Sequence, residues 1–509
     1  MSHEQDSITD PRDVRIRELL DMVEQQAARI KELEEKLDRL QALLEAKAES
    51  KAAKKPDFTE NYSLGRNKLQ NQDKKQSTNK RPGRKPQYAK RDCATLPVDV
   101  YPDGVDRKKC LLHRLQYAWR ILDGKAVYVR YDIYDLPDSR DLPLPEGIRN
   151  SRSEFGIEII LILAFLHYWI GVSLDNACQT MNFFTGLELS KSQANSLLNQ
   201  LADDWNQQYD TIAELIALQM IVYIDETGWK VGKKPCYTWV FSSSLYTLFR
   251  CGVSRKKSEA TAVLGESFGG IGVTDDYAAY QTMFSEHQLC WAHLLRKMIK
   301  LALQNPDEPA YKKFLDDLCQ IYSDACESRN ARRIEASEEK ELATTLTTDL
   351  ANTAAVEALV ERLQSRVKSL CTRHDETIMS KATSNQPLTS DSTKTFILLQ
   401  RELVGNIDSL FVFVSHPEVE PTNNISERNV RREAEIRKGA RTSKTDSGAA
   451  RRSTIVTVLA SLATRMKPFT LSKLLEETAR WLKLGVSIFQ QELQAAAQKN
   501  LAPPSTAPT

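Results

Sequence analysis

Two short β-branched and apolar runs, Met220 to Ile224 and Ile271 to Thr274, each end in an aspartate, Asp225 and Asp275. Runs without polar alternation read as strands buried on both faces, the situation of parallel strands covered by helices. Between them lie strand-like runs at Tyr237 to Phe241 and Leu245 to Cys251 and a helical pattern from Ser258 to Glu266, and a further strand is expected near Gln288 to Trp291. Parallel neighbours need a crossover connection, so the segment from Met220 to Arg296 predicts a mixed α/β sheet. Carboxylates at the ends of such strands look into one crevice.

The chain of 509 residues is long enough for several domains with cores of their own. Its net charge of +2 conceals segregation, because basic residues concentrate from Lys51 to Arg91 and again from Arg428 to Arg452. Such patches point to a polyanionic partner. Nine cysteines at irregular spacing fit reduced thiols better than a disulfide framework. Met1 to Asp13 is polar and acidic, which predicts no secretory signal. The longest apolar stretch, Ile157 to Leu174, contains Glu158 and His167 and reads as a buried helix, so no membrane association is expected.

Ile16, Val23, Ile30, Leu37 and Leu44 recur every seven residues, with Leu19, Leu33 and Leu40 in the companion series. This is a coiled-coil seam, and it predicts a homodimer or higher oligomer through residues 1–50. Residues 51–92 form a basic linker with almost no apolar residues. Within it Arg81, Arg84 and Lys85 flank a Pro-Gly turn, shaped either as a minor-groove hook or as a plain phosphate-contacting tether. Residues 93–150 read as a small β-rich region, and residues 151–212 as a helical DNA-binding region. A mixed catalytic domain over 213–300 and 395–470 is expected to enclose an all-helical stretch over 301–394, with a C-terminal helix and tail over 471–509. Cys110 and His113 have the spacing of half a zinc site, and Cys93 supplies at most a third ligand, so structural zinc is not expected there.

Glu427, where the polar turn Pro-Thr-Asn-Asn opens into a helix, joins the two aspartates as a third candidate. Phosphodiester cleavage develops charge on attacking and leaving oxygens, which two Mg²⁺ or Mn²⁺ ions about 4 Å apart stabilise. Hard cations take carboxylate oxygens, so Asp225 is expected to bridge the ions while Asp275 and Glu427 complete either side. Arg428, Arg431 and Arg432 follow within one helical turn and are expected to clamp the phosphate backbone.

The blocks Tyr223-Ile-Asp-Glu-Thr-Gly-Trp229, Thr274-Asp-Asp-Tyr-Ala-Ala-Tyr280, Cys290-Trp-Ala-His-Leu-Leu-Arg-Lys297 and Pro421-Thr-Asn-Asn-Ile-Ser-Glu-Arg428 resemble, in order, those of the IS66-type DDE transposases. That resemblance implies an RNase H-like catalytic domain with a large helical insertion, with Asp225, Asp275 and Glu427 as the metal-binding triad. It also implies element ends and target DNA as double-stranded partners, small accessory proteins, and a cytoplasmic, nucleoid-associated enzyme that cuts and joins strands. Two departures stand out. Asp276 replaces a glycine usual in the family, leaving two neighbouring aspartates of which the strand-end position favours Asp275, and the N-terminal zinc motif is degraded. Cys290 and His293 repeat the Cys-x₂-His spacing, read either as an ordered junction, as a DNA contact, or as packed core side chains, and zinc is not expected there either. Two alternatives remain: a catalytically inactive DNA-binding relative, and a structure-specific nuclease of the same fold. No phosphate-binding loop of the G-x₄-G-K-[S/T] type is present.

Overall fold

The computed structural model describes residues 96–139, 142–280, 282–341, 348–382, 391–439 and 441–501. The expected coiled coil, the linker with Arg81, Arg84 and Lys85, and Cys93 lie outside the described residues.

Three strands open the described chain: β1 (Leu96–Val100), β2 (Leu111–Leu122) and β3 (Lys125–Asp135), in the order β1-β3-β2. Asp123 and Gly124 link β2 to β3 with φ of 49° and 75°, the left-handed pair that matches a two-residue hairpin to the twist of its strands. Here the half-site is spent on local bonds. The His113 Nε2 lies 2.9 Å from the Leu136 carbonyl, and the Cys110 thiol donates to the Asp106 carbonyl at 3.6 Å.

The apolar stretch becomes α1 (Ile157–Ala164), continued by a π-helical turn over Phe165–Trp169. Among the described residues no helix is long and apolar enough to cross a membrane. Glu158 in its first turn is buried and receives Arg120 at 2.7 Å and the Ile121 amide at 3.0 Å, which fastens the helix to β2. α2 (Leu174–Thr185) ends at the left-handed Gly186, and α3 (Lys191–Ala217) starts on a reciprocal cap between Ser190 and Gln193. Leu198, Leu201, Trp205 and Ile212 make α3 a core helix.

The main sheet has the order β6-β5-β4-β7-β8, from β4 (Ile221–Val231), β5 (Lys234–Ser242), β6 (Thr247–Val253), β7 (Phe268–Thr274) and β8 (Phe284–Leu289). β4 to β6 form an antiparallel meander, α4 (Lys257–Leu264) crosses over, and β7 and β8 continue in parallel beside β4. Helices then dominate: α5 (Trp291–Gln304), α6 (Pro309–Glu341), α7 (Thr348–Ala382), α8 (Asp391–Gly405) and the short α9 (Val412–Ser415). This helical stretch begins earlier and ends later than the expected 301–394, because Trp291 and Phe411 belong to one apolar core with Phe314 and Phe396.

Four helices close the chain: α10 (Asn424–Lys438), α11 (Asp446–Arg465), α12 (Leu471–Leu484) and α13 (Ile488–Leu501). The edge of β6 is covered by hydroxyls of α11. The amides of Thr247, Phe249 and Cys251 donate to Ser461 Oγ at 3.1 Å, Thr457 Oγ1 at 2.9 Å and Ser453 Oγ at 2.9 Å. Alternate strand residues repeat about every 6.7 Å and every fourth helix residue about every 6 Å, so one hydroxyl per turn meets one amide per strand repeat. An unpaired strand edge is thereby removed without a further strand. α10 and α11 are joined by a fully buried bidentate pair, Arg452 Nε to Glu433 Oε2 and Nη2 to Oε1, both at 2.7 Å, with the guanidinium 4.9 Å from the Trp229 ring centre.

Thr457→Val keeps the shape of the side chain but strands the Phe249 amide in the core. It is expected to cost about 1–3 kcal/mol in chemical denaturation, and a loss below half a kcal/mol would contradict the edge-capping role.

Candidate active site

β4 pairs in parallel with β7 as Ile221↔Ile271, Val222↔Gly272 and Tyr223↔Val273. The offset between partners equals the separation of Asp225 and Asp275, so the register carries both aspartates to the same level of adjacent strands. Neighbouring strands lie about 4.8 Å apart, which sets the scale of their separation. Asp225 is not a strand terminus as the apolar run implied. β4 continues through it to Val231 in the hairpin with β5, and Asp225 sits where the β7 pairing stops.

A relay of hydrogen bonds brings the third carboxylate in. The Cys290 amide donates to the Thr274 carbonyl at 2.8 Å, next to Asp275. The Asn423 amide donates to the Cys290 sulfur at 3.1 Å, and its Nδ2 donates to the Ile224 carbonyl at 2.6 Å, next to Asp225. Asn423 is the N-cap residue of α10, which places Glu427 in the first turn of that helix. Ser426 Oγ donates to the Val240 carbonyl at 3.1 Å and seats the same turn on β5.

Electrostatics register the convergence. Burial pushes the Asp225 carboxyl up to about 8, and the charges of Glu226, Asp275 and Glu427 add to the shift. Burial also raises Glu226, which is held by Arg255 Nη2 at 2.7 Å and Tyr280 OH at 2.5 Å. Glu226 is thus committed to neighbours. Asp275 Oδ1 accepts the Tyr277 amide at 3.1 Å, a turn that fixes its side chain. Asp276 Oδ1 instead accepts Asn406 Nδ2 at 3.2 Å, so its carboxylate turns toward the end of α8. Glu427 is gripped by Arg296 Nη2 at 2.6 and 2.8 Å, and among the described residues no ion pair neutralises Asp225.

The arginines after Glu427 divide. Arg428 and Arg431 are exposed, as a phosphate clamp requires. Arg432 is not available for that role. Its guanidinium lies 3.7 Å over the Trp169 ring centre, its Nη1 is buried without a hydrogen-bond partner among the described residues, and burial lowers its pKa. The helical period places Arg432 on the flank of α10 that meets the π-helical turn, a partner the local sequence does not reveal. Sequence reasoning also gave no role to Asn423 and Arg296. Cys290, His293 and Arg296 are spaced three apart, which puts them on one face of α5, and that spacing was the available signal.

The family model for the IS66 transposases matches residues 152–451, more than half the chain. The chain belongs to the IS66 transposase family. Among curated proteins, none matches the chain. The matched span covers the main sheet and all of the carboxylates just described. Transposases of this kind act on DNA and use divalent metal ions, and the mixed α/β core with its many helices agrees with that family.

Because Asp225 holds its proton to about pH 8 when folded, the unfolded chain ionises first as pH rises. The group favours folding least above that value, and its penalty fades toward its ordinary range of about 4. In metal-free buffer at pH 8, Asp225→Asn is expected to raise the melting temperature by a few degrees, with the difference vanishing near pH 4. Equal melting temperatures at pH 8 would sink this assignment.

Proposed function

We propose that this chain is a DDE transposase with an RNase H-like catalytic domain, in which Asp225, Asp275 and Glu427 hold two divalent cations. The helices from α5 to α9 are, in this reading, the insertion between the second and third carboxylates. The observation that carries it is the parallel register that sets Asp225 level with Asp275, together with the Asn423 bonds that bring the first turn of α10, with Glu427, against β4 and Cys290. The donor set fits hard cations: the donors are all carboxylate oxygens, and one buried member has no counter-ion among the described residues. When bound, the ions would activate water or a 3′-hydroxyl and stabilise the leaving oxygen.

The protein's own groups do the positioning. Asp225 presents its carboxylate from the rigid centre of the sheet, and Asp275 is oriented by the Tyr277 amide. Arg296 holds Glu427 by both oxygens and keeps that carboxylate aimed. Arg255 and Tyr280 bind Glu226, so the acid next to Asp225 does not compete for the ions. Arg428 and Arg431 stand on the exposed side of α10, where a phosphate backbone entering the crevice would meet them.

Full-length protein with Mg²⁺ and duplexes carrying element ends is expected to cut a strand and join the freed 3′-hydroxyl to target DNA. Asp225→Ala, Asp275→Ala and Glu427→Ala are each expected to reduce both products to background, whereas Asp276→Asn retains them. Cutting without joining would favour a nuclease, and joining by Asp225→Ala would overturn the proposal. Replacing Arg428 and Arg431 by alanine is expected to lower the dependence of log affinity on log salt by about 1 for each lost phosphate contact, and Arg432→Ala to leave that slope alone.

A further inference from the structure

Beside the carboxylates lies a second group of donors with different chemistry. Cys290 Sγ, His293 Nδ1 and a Glu427 oxygen lie within 4.8 Å of one another. The sulfur is 4.0 Å and the imidazole nitrogen 3.5 Å from Glu427 Oε1. Tetrahedral zinc with bonds of about 2.3 Å to sulfur and about 2.0–2.2 Å to nitrogen and oxygen needs separations of about 3.6 Å and about 3.4 Å. The donors are therefore almost in place before any ion arrives.

We propose that Cys290, His293 and Glu427 form a binding site for zinc or a similar borderline-soft divalent cation. Cys290 is fully buried and pinned by its own amide to Thr274, and His293 follows it by one turn at the start of α5. Glu427 approaches from α10, so the ion would staple the two helix starts together. Among the described residues His293 Nδ1 is buried without a hydrogen-bond partner, and a cation would satisfy it. The Asn423 amide already donates to the Cys290 sulfur at 3.1 Å, the contact that steadies a metal-bound thiolate. Side-chain exposures of 30% for His293 and 13% for Glu427 leave one side open for water as the fourth ligand.

Binding releases one proton, from the Cys290 thiol, to solvent; the thiolate and the Glu427 carboxylate then balance the charge of the ion. Arg296 keeps its 2.8 Å contact to Oε2. Magnesium is a poor competitor because it takes oxygen donors rather than sulfur. The Cys110 and His113 pair does not share these properties, since His113 Nε2 faces the Leu136 carbonyl.

Because the site shares Glu427 with the proposed catalytic centre, the decisive test reads the ion and not activity. Reduced, chelator-treated full-length protein is titrated with Co²⁺ in excess Mg²⁺. One equivalent is expected to give a thiolate-to-cobalt charge-transfer band and the intense visible bands of a tetrahedral site, both erased by Zn²⁺. Cys290→Ser is expected to lose the charge-transfer band and His293→Ala to weaken Co²⁺ by about tenfold or more. Cys110→Ser and Asp225→Asn, the latter removing a proposed catalytic ligand, are expected to keep it, which separates failure here from failure of the catalytic reading. Absence of the band in the wild type, its survival in Cys290→Ser, or its loss in Cys110→Ser would overturn the site. Should Cys290→Ser not fold by circular dichroism, His293→Ala and Glu427→Gln decide: weakened Co²⁺ binding in both supports the site, and unchanged binding in either refutes it.

Discussion

The parallel register between β4 and β7 is the constraint on which the site depends. Only three residue pairs define it, yet they set Asp225 level with Asp275 across a single interstrand spacing. A slip of one residue would turn one aspartate to the opposite face of the sheet. The register is protected by burial, since Val222 and Ile224 are fully buried in one apolar core and Val273 in another. Asn423 then extends this order to a third element by bonding at once to the Ile224 carbonyl and the Cys290 sulfur. One side chain of α10 thus reads the position of β4, while its own amide reads the end of β8.

Such an assembly is electrostatically unfavourable on its own. Asp225 is buried among like charges and holds its proton far above its usual range. The surrounding structure offsets this cost with contacts remote from the crevice. The Arg452–Glu433 pair and the hydroxyl ladder from Ser453 to Ser461 fix α10 and α11 against the sheet, so the helix bearing Glu427 cannot retreat from the repulsion. Arg296 and Arg255 pair with Glu427 and Glu226, and leave Asp225 as the member without an ion-pair partner among the described residues. The imbalance is local and directed, which is what a cation site requires.

Much of the sheet was legible in the sequence because its strands are unmixed apolar runs, and Ile271 to Thr274 and Tyr237 to Phe241 fall inside β7 and β5. The reading that Asp225 ends its strand failed for a physical reason. β4 changes partner at that point, and a run of Glu, Thr and Gly still forms a ladder with β5. Helix boundaries between Trp291 and Ser415 were misjudged because aromatic core residues on both sides of the expected limits pack together. Among the basic residues, spacing along α10 identified a turn but not which flank it buries, so Arg432 was grouped with Arg428 and Arg431 although Trp169 covers it. Asn423 was quoted within a motif without a role. Its function lies wholly in tertiary bonds to residues 133 and 199 positions away.

Anomalous diffraction at the manganese edge from crystals of the full-length chain soaked in Mn²⁺ bears most directly on the central claim. The account predicts density within coordination distance of Asp225 and of at least one of Asp275 and Glu427. Manganese bound elsewhere, with Asp225 left without a metal contact, would contradict it.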